Sequence, residues 1–95
     1  MNSELIIIRE YIQLTEIEPQ FISLLEENGL IHIFEIDNEQ YLHHDELVWV
    51  ERYARMYYDL SINMEGIDVI HNLLEKICSM QEEMKQLKNQ LSFPE

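Results

Sequence analysis

Apolar positions change period repeatedly along the chain, and each change marks an element. Leu5-Ile6-Ile7-Ile8 is a short, largely β-branched run and reads as a small strand. Arg9 to Leu14 reads as a short first helix, with Ile8, Tyr11, Ile12 and Leu14 as its apolar contacts. Pro19 then suits the first position of a second helix, where its missing N–H costs nothing. Ile17 and Ile22 can staple that start, and Phe21, Leu24 and Leu25 form the apolar stripe. Asn28-Gly29 ends the helix, with Gly29 able to take the left-handed cap.

From Leu30 to Leu42 the period falls to two. Ile31, Ile33 and Glu35 alternate with His32, Phe34 and Ile36, Asp37-Asn38-Glu39-Gln40 supplies turn residues, and Tyr41-Leu42 begins the return. This predicts a hairpin. A third helix is expected from Asp45 to Leu60, capped by His44 or Asp45, with Leu47, Val50, Ala54, Tyr57 and Leu60 on one face. Trp49, Tyr53 and Met56 form a second stripe, and one small core cannot easily satisfy both. Ser61-Ile62-Asn63 breaks the helix, and Asn63 is a good N-cap for a fourth. From there the pattern becomes a heptad. Ile70, Ile77, Met84 and Leu91 take a positions; Leu73, Met80 and Leu87 take d. These residues predict a dimerisation seam. The alternative for its first turn is packing of Ile70, Leu73 and Leu74 inside the monomer. Glu83 at g and Lys88 at e could pair across a parallel dimer.

The whole is mainly α, with a helix-turn-helix, a hairpin wing and a long terminal helix. The organisation expected is a winged domain over 1–62, a heptad helix over 63–92 and a tail over 93–95.

Charge sharpens this picture. The formal net charge is −13, and from Met1 to Glu51 there are twelve acids and one base, Arg9. Phosphate neutralisation supplies most nucleic-acid affinity, so this half of the chain is poorly equipped for DNA. The same field would speed the arrival of a basic protein. The acids proposed as a contact rim are Glu26, Glu27, Glu35, Asp37 and Glu39, with a solvated face as the plain alternative. Trp49 and Tyr53 are the candidate anchors, against simple core packing.

Other chemistry is thin. Cys78 is the only cysteine, so no internal disulfide can form. His43-His44-Asp45 lacks partners at ligand spacing, and adjacent strand histidines face opposite ways, so no metal or other cofactor is expected. Gly29 and Gly66 stand alone, which leaves no phosphate loop, and no acid–base constellation marks an enzyme. Arg55 has structural partners at i−4 and i+4 in Glu51 and Asp59. Met1–Glu4 carries no basic leader and Leu5–Ile8 is too short to span a membrane; a cytoplasmic protein is expected.

The arrangement, with Ile8-Arg9-Glu10-Tyr11, Pro19 to Leu30, Tyr41-Leu42 and Leu60 to Ile67, resembles the winged-helix domains of MerR-type regulators over nearly the whole chain. Those regulators place Arg and Tyr on helix two and Arg on the wing against DNA. Here helix two carries no base, and the wing, Ile31 to Leu42, carries only His32 with Glu35, Asp37 and Glu39. Within that superfamily the chain is most similar to chaperone modulators of the CbpM type. That resemblance implies binding to the J-domain of a DnaJ-like co-chaperone and inhibition of its action on Hsp70. It also implies a homodimer whose terminal helices pair antiparallel. The alternative is a MerR-type transcription regulator that binds DNA as a dimer.

Overall fold

The computed structural model describes residues 4–91. The proposed tail, 93–95, and Met1 to Ser3 lie outside the described residues.

Strand β1 (Leu5–Ile7) passes directly into α1 (Ile8–Leu14), so Ile8 opens the helix and does not end the strand. Ile8 and Tyr11 are buried, whereas Leu14 is 85% exposed and is no core contact. Thr15 shapes the corner that follows. Its hydroxyl donates to the Tyr11 carbonyl at 3.0 Å and accepts from the Ile17 N–H at 3.3 Å. These bonds close α1 and turn the chain into α2 (Pro19–Glu27).

Helix α2 follows its local signals closely. Pro19 stands in the first turn, and Phe21, Ile22 and Leu25 are buried. Ile17 packs against the same core as Ile22. At the other end Gly29 has φ +73°. The Gly29 N–H donates to the Glu26 carbonyl at 3.0 Å, and the Leu30 N–H to that of Leu25 at 2.9 Å. This is a Schellman cap, and it needs a residue that accepts positive φ.

The wing differs in register from the sequence expectation. Strand β2 is Phe34–Ile36 and β3 is Glu39–His43. The turn is only Asp37-Asn38, both at positive φ (52° and 66°), the pattern of a two-residue type I′ hairpin loop. Glu39 and Gln40 are therefore strand residues, and Leu30 and Ile31 plug the core before the sheet begins. β3 is central. It pairs antiparallel with β2 (Phe34 opposite Tyr41) and with β1 (Ile6 opposite Leu42), giving the order β1-β3-β2.

The predicted third helix has three parts: a 3-10 turn His44–Glu46, α3 (Leu47–Ala54) and a π turn Arg55–Asp59. The first turn is tightened to 3-10, with His43 at its N-cap position and not His44 or Asp45 as expected. The Leu60 N–H reaches back five residues to the Arg55 carbonyl at 3.2 Å. That wider turn moves each later side chain around the axis. The stripe drawn at α spacing consequently fails at its end. Val50 is fully buried, but Leu60 is 65% exposed.

Helix α4 (Met64–Leu91) is capped by Asn63, whose Oδ1 accepts the Gly66 N–H at 2.8 Å. Its first turn sends Met64 and Ile67 into the same core as Phe21, Leu25, Leu42, Val50 and Tyr53. At 1.5 Å per residue it is about 42 Å long, and it makes the molecule elongated at 56 × 33 × 21 Å.

Candidate protein-interaction surface

The surface a helix-turn-helix would turn to DNA is made by α2 and the wing. On α2 the exposed residues are Pro19, Gln20, Ser23, Glu26 and Glu27; on the wing they include Glu35, Asp37, Asn38 and Gln40. None is basic. Between them lies a cleft of about 610 Å³ bordered by Ile8, Arg9, Ile12, Pro19, Glu35 and Glu39. Arg9 bridges it, with Nη2 3.1 Å from Glu39 Oε1. This hydrogen bond and the Glu39 charge push the guanidinium further up from its ordinary value. The lone base of the N-terminal half is thus bound to the wing, and Glu39 is a paired carboxylate and not a free member of the acidic rim.

The rim does not gather into one patch. Glu35 and Glu39 border the wing cleft beside Pro19. Glu26 and Glu27 sit at the opposite end of α2, roughly 11 Å along its axis. Asp37 is at the hairpin tip.

The two proposed anchors lie elsewhere, at the joint between α3 and α4. Tyr53 is fully buried and is a core residue, which rules it out as an accessible anchor. Its hydroxyl lies 2.7 Å from His71 Nδ1, and His71 Nε2 is 3.2 Å from Glu75 Oε2. The carboxylate favours a proton on Nε2, which leaves Nδ1 to accept from the Tyr53 hydroxyl. Trp49 is partly buried, with the His71 ring edge-on at 5.4 Å and the Arg52 guanidinium 5.0 Å over its face. Both aromatics therefore brace α4 against the winged part. Of the two, Trp49 alone keeps accessible surface. The spacing of His71 and Glu75 was readable as an i,i+4 pair; the tyrosine was not, because it comes from another helix.

Burial first, and then the charges of Glu46, Glu75 and Asp68, push Tyr53 up from 10.0 to about 12. The folded value exceeds the unfolded one, so this stabilisation is complete below pH 10 and is lost as pH rises through about 12. Tyr11 and Tyr58 are raised in the same direction, both mainly by burial. Urea denaturation at pH 8 and pH 11.5 should show a loss of about 2 kcal/mol from Tyr53 alone. Tyr53→Phe should flatten that part of the slope; an unchanged slope in the variant would sink the assignment.

The heptad residues form an open apolar strip. Leu73, Ile77, Met80, Met84, Leu87 and Leu91 are each between 47% and 87% exposed, while Ile70 is half-buried. Leu73 does not pack inside the monomer, although Leu74 partly does. No helix among the described residues is long and apolar enough to cross a membrane. Among those residues no group of His, Cys, Asp and Glu could hold a metal ion. His43 is occupied instead with Phe34, edge-on at 4.7 Å. Arg55 closes no ion pair with Glu51 or Asp59, contrary to expectation; the π turn displaces Asp59 from α spacing, whereas Glu51 stays in α register with Arg55.

Two short helices joined by a tight corner, a three-stranded sheet with a hairpin wing, and a long terminal helix define a winged helix-turn-helix protein. The chain matches the model of a family described as MerR HTH family regulatory protein over residues 6–89. It belongs to that family. No curated protein and no solved structure matches it.

Proposed function

We propose that this protein is a regulator that binds protein and not DNA. Its partner is the J-domain of a DnaJ-like co-chaperone, and by covering it the protein inhibits the action of that co-chaperone on Hsp70. The observation that carries this reading is the complete lack of Lys and Arg on α2 and the wing, the surfaces a MerR-type regulator presses against phosphates. A J-domain docks on Hsp70 through a basic helix, and an acidic winged domain competes by charge complementarity and occupancy, with no chemistry required. In this reading α4 pairs antiparallel with a second copy through its open strip.

Calorimetric titration with a J-domain from the same organism tests the proposal. Binding is expected to weaken roughly tenfold between about 50 and about 150 mM salt, because exposed charges are screened over about 8–10 Å. Absence of binding at the lower salt would refute the J-domain reading. The family match keeps an operator-binding regulator as the rival. A mobility shift with upstream DNA that persists at about 150 mM salt would favour that rival.

A further inference from the structure

A second cleft, of about 360 Å³, lies between the helix-turn-helix corner and the π turn, away from both the wing and the heptad strip. We propose that it receives a lysine or arginine side chain presented by a helix of the protein partner. The inference rests on the proposed function for the class of partner and adds the place where that partner is read.

The floor is apolar. Ile17 from the corner, Ala54 from the end of α3 and Tyr58 from the π turn supply it, and Tyr58 is 42% exposed. Such a floor suits the methylene stem of a long basic side chain, whose charged head stays at the rim. The rim is acidic. Glu16, Glu51 and Asp59 stand against the single cation Arg55, which leaves a formal excess of two negative charges (three against one).

These carboxylates remain available for a structural reason. Glu51 and Asp59 lie four residues to either side of Arg55, the spacing that normally closes helical ion pairs. Neither pair forms: the π turn Arg55–Asp59 carries Asp59 out of α register with Arg55, and Glu51, whose carbonyl still accepts the Arg55 N–H, makes no ion pair with it. The acids of the cleft are thus not neutralised by Arg55, and the π turn that borders it is of a kind that frequently marks functional sites. Beside it, Tyr11 is 8% exposed, and its buried hydroxyl has no hydrogen-bond partner while responding to the charge of Glu51. A net charge of −13 disfavours a second copy of this chain as the occupant.

The test is a nitrogen-15 NMR titration of the full chain in two arms, one with the J-domain and one with a synthetic lysine-rich amphipathic helix. In both arms shifts should centre on Ile17, Ala54 and Tyr58. Glu16→Gln with Glu51→Gln and Asp59→Asn should weaken J-domain binding at least roughly tenfold, a loss expected when several charge contacts go together. Neutralising the exposed Glu82 on α4 instead should change it less than about twofold. J-domain binding with shifts confined to α2 and the wing would overturn the cleft while leaving the proposed function intact. Binding of the lysine-rich helix in the cleft with no J-domain binding would do the reverse. Silence of the cleft in both arms, or shifts there on simple concentration of the protein, would overturn the inference. Mapping on the unsubstituted chain decides the question even if the triple variant is poorly folded.

Discussion

Replacing Leu25 with alanine is expected to lower the unfolding free energy by about 3 kcal/mol, within the usual 2–5 kcal/mol for a buried leucine. Leu25 is fully buried and shares the core with Phe21, Leu42, Val50 and Tyr53, so α2, the sheet and α3 all lose contacts at once. Its carbonyl also accepts the Leu30 N–H that locks the end of α2, so the site is held at backbone level and cannot collapse freely around the cavity. For a domain of this size the midpoint should fall on the order of 15 °C. Leu14→Ala is the control. Leu14 is 85% exposed, and its truncation should change stability by less than about 0.5 kcal/mol. Urea curves of the two variants at one protein concentration settle the comparison. Equal effects would mean that the core is not where the structure puts it.

Placing Asp at Ile77 and Met84 together should turn the proposed pair into a monomer. These residues are 47% and 67% exposed in the single chain, and each half-exposed side chain of the strip gains roughly 1 kcal/mol when a second copy covers it. In a twofold pair each substitution counts twice, and a carboxylate buried without a partner adds several kcal/mol more. The dissociation constant should therefore rise at least about a hundredfold, which is roughly 2.7 kcal/mol. Sedimentation equilibrium reads this directly. Met64 and Ile67, not the strip, anchor α4 to the core, so the variant should keep its fold and near-native circular dichroism. A wild-type chain that is monomeric at high concentration would remove the pairing altogether.

Helix α2 was legible to within a residue because its limits are set by local chemistry: Pro19 at the start and Gly29 in the left-handed cap. The same holds for Asn63, whose side chain caps α4 within three residues of itself. The hairpin was placed but shifted. Asp37-Asn38-Glu39-Gln40 are all plausible turn residues, and pairing with Ile36 and Glu35 of β2 makes Glu39 and Gln40 strand, while β1, some thirty-six residues away, holds Tyr41 to His43. The exposed Leu14 and Leu60 were assigned inward because each continues a helical period that the chain itself abandons.

The sequence by itself determined the winged order of elements, the long heptad helix and the negative sign of the surface that relatives would turn to phosphates, because composition and short-range spacing do not depend on packing. Tertiary structure decided that both apolar stripes of the third helical stretch would enter the core, Val50 from one and Tyr53 from the other. It buried Tyr53 against α4 and left Trp49 partly open. It also decided that Arg9 would neutralise Glu39, and that Glu16, Glu51 and Asp59 would border one cleft. These outcomes depend on contacts between residues tens of positions apart, whose geometry no local pattern encodes.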